Sequence, residues 1–444
     1  MALRFGTDGV RARADTVLTE SVVRALGRAA AGHLGADRVV IGHDPRESGE
    51  ALSRALAEGF LEGGVDVRQL GMVPTPAVAY VAATDGIAGA VVSASHNPWS
   101  DNGVKLFAAG GHKLDDAAQA ELQASWDEVP EIVAGDRAVP GPAQDDRWAE
   151  SVVASVEAGA LDGLSLVVDC ANGAMSTIAP VVLERLGADV TVLHATPDGR
   201  NINDACGSMH PEDLQRVVVE TGADAGLAFD GDGDRVVAIG ADGSLLDGDH
   251  LLVACGIDLH ERGLLVGGTV VVTVMANLGL RRAFAAAGIS LHETAVGDRY
   301  VLEALEANNW TLGGEQSGHL IFRHLATTGD GLLAGVQALD AARRRGRMLG
   351  EWTTELVVKA PQVLRAVAVD GSGEAVVAAM ADDIAAAEAR LGDEGRVVVR
   401  PSGTEHVVRV MVEAVDAGLA TLLTDELCTL ARRIVDRGAG SPQG

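Results

Sequence analysis

A strand–loop–helix–strand unit occurs three times along this chain, and no other feature limits its fold as strongly. The first copy runs RVVIGHDPR (38–46), then the helix-like ALSRALAEGFLEGG, then VDVRQLG. The second runs LSLVVDCANGA (164–174), a helix ending near Gly187, then ADVTVLH. The third runs TVVVTVMANLG (269–279), RRAFAAAG, then ISLHET. Each opens on a continuous Val/Ile/Leu run followed by Asp or Asn, a helix, a glycine and a second apolar run. Uninterrupted apolar strands alternating with helices predict sheets covered on both faces. The copies lie roughly a hundred residues apart, much longer than the ~20–50 residues of a solenoid repeat. They predict three similar α/β domains in series.

A chain of 444 residues, 47% of them hydrophobic, exceeds what one core needs and leads us to expect three or four domains. Segments 127–146, 242–250 and 357–373 read as linkers. Beyond the last, AVVAAMADDIAAAEARLG reads as a helix, and RVVVRPSG and HVVRVMVEA as strands around a turn. The expected domains are 1–146, 147–246, 247–361 and 362–438.

Charge narrows the function. With 63 Asp and Glu against 35 Lys and Arg, the formal net charge is −28, which repels nucleic-acid phosphates and makes such a partner unexpected. An anionic substrate would need a pocket that is basic against this field. Lysine occurs only at 105, 113 and 359, so a lysine beside a motif is informative. The four cysteines, Cys170, Cys206, Cys255 and Cys428, are widely spaced without a CxxC pair, which suggests neither a zinc site nor a disulfide framework. The start has no apolar signal segment and no run reaches the ~18 residues of a membrane span, so a cytoplasmic protein without membrane association is expected.

Four segments carry chemistry. In AGAVVSASHNPWSDNGVKLF (88–107) an apolar strand runs into Ser95 and His96. Pro98 biases Asn97 to an extended backbone, and Asn102-Gly103 reads as the hairpin turn that returns Lys105 toward Ser95. A serine beside a histidine, with a lysine nearby, can accept a phosphoryl group. In DAGLAFDGDGDRVVAIG (224–240) Asp230, Asp232 and Asp234 alternate with glycines between apolar runs. Three such carboxylates form a hard oxygen cage that suits Mg²⁺. An EF-hand would need Gly and Glu where this chain has Arg235 and Ala241. In TLGGEQSGHLIF (311–322) Glu315, Ser317 and His319 lie among glycines, and a carboxylate with a hydroxyl can bond both ends of a sugar OH. In VVVRPSGTEHVVRV (397–410) Arg400, Ser402, Gly403, Thr404 and Arg409 read as a phosphate clamp. FGTDGVR (5–11) adds Arg11, and no GxxxxGK[ST] loop is present.

Taken in order, FGTDGVR, SASHNP, DGDGDR, VGDRYV (296–301), GGEQSGH and RPSGTE span Phe5 to Glu405 and resemble the α-D-phosphohexomutase family; GGEQSGH with VGDRYV points to its amino-sugar branch. The resemblance implies an α/β fold of four domains around a central cleft, the first three alike and the fourth a smaller α+β domain. It implies phosphorylation at Ser95, with Mg²⁺ held by Asp230, Asp232, Asp234 and the phosphoserine. Glu315, Ser317 and His319 would bind the sugar, and Arg400, Ser402, Gly403, Thr404 and Arg409 the non-reacting phosphate. Arg11, His96, Lys105 and Arg235 would surround the reacting phosphate, with His96 or Lys105 as base. The implied isomerase reaction turns glucosamine 6-phosphate into glucosamine 1-phosphate through a 1,6-bisphosphate, feeding UDP-N-acetylglucosamine and peptidoglycan synthesis. Glucose or glucosamine 1,6-bisphosphate would be the activator, and a homodimer is implied by analogy. The alternatives are mannose- or glucose-phosphate mutases of the same family, or a Mg²⁺-dependent sugar phosphatase. The chain departs from the family pattern at Ala12 (usually Gly), His406 (usually Pro) and Met209 (where threonine is expected).

Overall fold

The computed structural model describes residues 3–6, 9–129, 138–369, 372–402 and 406–439. By its internal contacts the chain forms two compact units. One comprises Met1–Met275 with Ala287–Glu355, the other Ala276–Ala286 with Leu356–Gly444.

The larger unit contains three sheets with one shared plan. In each, a central strand lies between two parallel neighbours, and the later of these folds back antiparallel as a hairpin. In the first sheet Arg38–His43 sits between Asp66–Met72 and Ala88–Val92, and Ala88–Val92 turns back into Asp101–Ala108. In the second, Ser165–Asp169 lies between Asp189–Leu193 and Ala225–Phe229, which turns back into Val236–Gly240. In the third, Thr269–Thr273 lies between Ser290–Thr294 and Leu312–Gly314, which turns back into Leu320–Phe322. The predicted threefold repeat is therefore present. Its central strands are apolar on both faces because both faces are covered: Val39, Val40 and Ile41, Leu166, Val167 and Val168, and Val270, Val271 and Val272 are all fully buried.

The shared plan positions the chemistry. The tips of the three hairpins are 93–100, 230–235 and 315–319, so the serine, aspartate and Glu315 motifs occupy equivalent places in three sheets. Val10–Arg13 adds to the outer edge of the first sheet and pairs Arg11 with Gly103.

Some boundaries differ from expectation. Asn102 and Gly103 belong to the strand Asp101–Ala108 and not to a turn. The chain has already reversed, with Asn97 N donating to Ala94 O and Asp101 N to Pro98 O. The Asn102 side chain spans the strand instead, accepting from Gly103 N and donating to Ser48 Oγ. Within the expected linker 242–250, Leu245–Leu246 forms an edge strand of the second sheet, and a helix begins at Gly248.

The smaller unit is an antiparallel sheet of Gln362–Ala368, Val407–Ala414 and Gly395–Pro401, backed by helices Gly373–Ala379, Ala381–Leu391 and Ala417–Ala439. The single helix expected here is thus two, and part of the expected linker 357–373 is a strand. This unit also takes in the helix Leu278–Ala286. Asn277 exchanges hydrogen bonds with Ala360, and Leu278 N donates to Glu413 Oε1.

Candidate active site

Ser95 sits at the tip of the first hairpin in the left-handed region, with φ 52°, a conformation costing a non-glycine residue of order 1 kcal/mol that must be held by its surroundings. The clasp is visible. Ser95 N donates to Ser93 Oγ, and the Ser93 hydroxyl donates to Asp44 Oδ2. The carbonyl of Ser95 accepts from Arg46 Nη2 at 2.8 Å and from Asn203 Nδ2 at 2.9 Å. Arg46 is itself buried, ion-paired to Asp44 at 2.9 Å and bonded to the carbonyls of Pro98 and Asp101. Fixed in this way, the Ser95 hydroxyl donates to Asp230 Oδ2 at 2.6 Å, and His96 Nδ1 lies 3.3 Å from it.

Asp230 opens the second hairpin tip. Ligand oxygens of Asp230, Asp232 and Asp234 all lie within 4.8 Å of one another, and all three residues are buried. The loop comes close enough to Ser95 to require glycine at 231, where a Cβ would stand 2.7 Å from Ser95 O. Gly233 takes φ 72°, the conformation that lets the three carboxylates converge. Lys105 reaches across from the first sheet to Asp234 Oδ2 at 2.6 Å and Asp232 Oδ2 at 2.8 Å. Thr75, at the start of helix Thr75–Asp85, donates its hydroxyl to Asp232 Oδ2 at 2.7 Å and its N–H to Asp232 O at 2.9 Å. The partly positive end of that helix thus meets a carboxylate.

The charge balance is incomplete. Burial, then Asp234 and Asp232, push Asp230 well above the usual carboxylate range. Burial also opposes ionisation of Asp234, but Lys105, His319 and Arg235 hold it well below that range. Asp232 Oδ1 and Asp234 Oδ1 are buried and make no hydrogen bond. Buried carboxylate oxygens without donors are costly, and an all-oxygen set suits a hard divalent cation. The three aspartates therefore fit a divalent metal.

His96 is neutral at physiological pH. Burial, then the cations Arg235 and Arg11, lower it to about 4, and Arg235 Nη1 lies 3.4 Å from its Nδ1. In the third hairpin His319 is buried, with Nδ1 3.7 Å from Asp234 Oδ1 and Nε2 3.5 Å from Asp298 Oδ2. Burial works against its protonation, yet Asp234 and Asp298 raise it. Asp298 also pairs with Lys113. Glu315 accepts from Gly297 N at 3.1 Å and is raised chiefly by burial and then by Asp298. Ser317 is exposed on the same turn.

The structure thus brings together Arg11, Ser95, His96, Lys105, the three aspartates, Arg235 and His319. In the smaller unit Arg400 and Arg409 are cross-strand partners, and burial followed by Arg409 lowers Arg400. Ser402 N closes the strand end onto Val407 O at 2.9 Å; Gly403 and Thr404 lie outside the described residues. Sequence reasoning missed Asp44, Arg46, Thr75 and Asn203. Of these only Asp44 and Arg46 carried a signal: a buried-strand motif ending GHDPR places charged residues where α/β sheets build their sites.

Comparison with known proteins covers nearly the whole chain. Residues 2–132, 146–243 and 247–360 match alpha/beta/alpha domains I, II and III of phosphoglucomutase/phosphomannomutase, and 359–430 match its C-terminal domain. A phosphoglucosamine mutase of Rhodococcus jostii is 46% identical over 440 residues, covering 96% of this chain and 98% of that protein. One from Thermobifida fusca is 47% identical over 444 residues, with 97% and 98% covered. A phosphoglucomutase/phosphomannomutase family protein of Burkholderia thailandensis has a crystal structure with TM-score 0.79 at 25% identity, covering 96% of this chain and 97% of its own. Aspergillus fumigatus N-acetylphosphoglucosamine mutase, solved with GlcNAc-6P and magnesium, shares the fold at TM-score 0.70 and 18% identity, with 98% and 96% covered. The chain belongs to the phosphoglucomutase/phosphomannomutase family of α-D-phosphohexomutases, alongside relatives that are phosphoglucosamine mutases.

Proposed function

We propose that this protein interconverts glucosamine 6-phosphate and glucosamine 1-phosphate through a phosphoserine at Ser95. The observation that carries the reading is the strained Ser95, its hydroxyl 2.6 Å from a buried carboxylate of a three-aspartate cluster. A bonded, left-handed serine at a cation-ready site is built to carry a phosphoryl group.

Asp230, Asp232 and Asp234, with a phosphate oxygen on Ser95, would hold Mg²⁺. Bound there, that ion would neutralise charge on the transferring group. Lys105 bonds Asp232 and Asp234, so its role would be to offset phosphate charge. The neutral imidazole of His96 is the better base. In the first half-reaction the bond from Ser95 Oγ to phosphorus breaks and one from sugar O1 forms, while the O1 proton passes by way of His96, 3.3 Å from Ser95 Oγ, to the departing serine oxygen. The 1,6-bisphosphate then turns over, and Ser95 takes the phosphoryl group back from O6. Arg11 and Arg235 would orient the reacting phosphate, and Glu315, Ser317 and His319 the sugar. Arg400, Ser402, Gly403, Thr404 and Arg409 would clamp the far phosphate.

Glucose or glucosamine 1,6-bisphosphate would prime an unphosphorylated Ser95. The four expected domains, a homodimer, a cytoplasmic location and supply of UDP-N-acetylglucosamine complete the reading. Among the described residues no helix is long and apolar enough to cross a membrane.

Replacing Ser95 by Ala tests the core of this reading. Mutase turnover should collapse, and intact mass should lose the one extra phosphate of the active enzyme. Phosphatase turnover that survives the change would instead place the nucleophile on an aspartate. Rates on glucosamine, glucose and mannose phosphates test the sugar assignment, which fails if glucosamine 6-phosphate is the poorest of the three.

A further inference from the structure

A second set of metal-ligand groups lies in the second sheet, away from the aspartate hairpin in sequence and different in kind. Asp169 ends the central strand, His194 follows the neighbouring strand, and Cys206 precedes the short turn Gly207–Met209. One ligand atom from each lies within 4.8 Å of the others. The wide spacing of the cysteines gave no sign of this, because the fold and not a CxxC motif brings the three together.

Four details argue for more than chance packing. Asp169 is fully buried, and among the described residues no Lys or Arg pairs with it; its charged neighbour is His194. His194 Nδ1 lies 3.1 Å from Asp169 Oδ2 but lacks hydrogen-bond geometry and is otherwise a buried nitrogen without a partner. Neighbouring ligands on one tetrahedral zinc ion stand roughly 3.2–3.8 Å apart. The other ring nitrogen, Nε2, faces Asp213 Oδ2 at 3.5 Å, which is the outer-carboxylate arrangement that orients metal-bound imidazoles. Lastly, each Asp169 oxygen accepts one backbone N–H, from Ala171 and Gly207 at 2.8 and 2.9 Å. Each keeps a lone pair, while the Asn172 amide points a donor at Cys206 Sγ from 3.9 Å.

We propose that Asp169, His194 and Cys206 form a site for a borderline-soft divalent cation of the zinc class. An N/O/S donor set prefers Zn²⁺ to Mg²⁺, whereas the all-oxygen aspartate triplet has the reverse preference. The side chain of His194 is 27% exposed, which gives the ion an entry and a place for a water ligand. The site has a mechanical consequence. Between His194 and Cys206 runs the loop that carries Asn203, whose amide grips the carbonyls of Ser95 and Asn97 at 2.9 and 3.1 Å. A metal joining the two ends of that loop to the sheet would pin the grip on the phosphoserine turn.

The test titrates full-length protein with Zn²⁺ in millimolar Mg²⁺ and a competing chelator, then repeats with Co²⁺. About one zinc ion per chain should remain bound, and the thermal midpoint should rise with it. Cobalt should give a thiolate charge-transfer band. Cys206→Ser and His194→Ala should weaken zinc binding roughly tenfold or more, whereas Asp230→Asn should retain both the zinc and the cobalt band. Wild-type protein without that band, or zinc binding indifferent to Cys206→Ser, would overturn the proposal. The cobalt spectrum needs no variant, so a substitution that fails to fold cannot obscure the answer.

Discussion

The aspartate hairpin of the larger unit and the arginine hairpin of the smaller one are opposite solutions to the same electrostatic problem. Each sets like charges side by side at a hairpin, the aspartates on its tip and the arginines across its paired strands. In the first, three buried carboxylates drive Asp230 up and leave two oxygens without donors. In the second, Arg400 faces Arg409 directly across the strands and is lowered by burial and by that neighbour. Cross-strand like charges are destabilising, so neither arrangement is a product of stability alone. On the proposed reading each would be relieved by a ligand of the other sign, a cation for the carboxylates and a phosphate for the arginines. They differ in internal compensation. Lys105 and Thr75 already bond Asp232, so the first cluster is stiff before any ligand arrives, while the arginines are half-buried at a strand end.

Removal of a carboxylate should break this comparison hardest. Asp232→Ala takes away the carboxylate that Thr75 and Lys105 both bond, and kcat should fall about 10³-fold or more, the range for lost charge stabilisation in phosphoryl transfer. Steady-state rates with circular dichroism to confirm folding would check it. Chelation should likewise abolish turnover, Mg²⁺ should restore it, and Mg²⁺ should raise the thermal midpoint of wild type but not of Asp230→Asn.

Arg400→Ala should cost roughly 10–100-fold in kcat/KM, from about 1.5–3 kcal/mol for a bond to a charged group. The loss should fall mainly on KM if the arginines only hold the far phosphate, and a pure kcat defect would contradict the clamp. Asn203→Ala removes two neutral hydrogen bonds to the serine turn. At about 1 kcal/mol each it should lower kcat by up to roughly 30-fold with KM little changed.

The parts legible in sequence were those encoded within one segment. The threefold repeat could be read from its apolar runs, and the alternating aspartates of 230–234 from their own spacing. Ser95 lay in a motif whose chemistry the residues alone left open until the family resemblance was added. What escaped were groups whose role exists only after folding. Arg46 looks like a surface residue after a strand until its guanidinium is seen on the Ser95 carbonyl. Asn203 lies 108 positions from its acceptor and Thr75 lies 157 from Asp232. Asn102-Gly103 misled because the dipeptide has turn chemistry, whereas the reversal had already been made by 94–101.

The three hairpin tips share a place in their sheets but not a task. The first two hold the groups proposed to break and make bonds, tied to each other through Ser95, Asp230 and Lys105. At the third tip, His319 lies beside Asp234, Glu315 is partly exposed and Ser317 is exposed. If Glu315 and Ser317 take the proposed sugar-binding roles, sugar choice can change at two positions on one loop while the proposed transfer groups stay as they are. Under the proposed roles, sugar choice and phosphoryl transfer would sit on separate tips of sheets that share one strand plan.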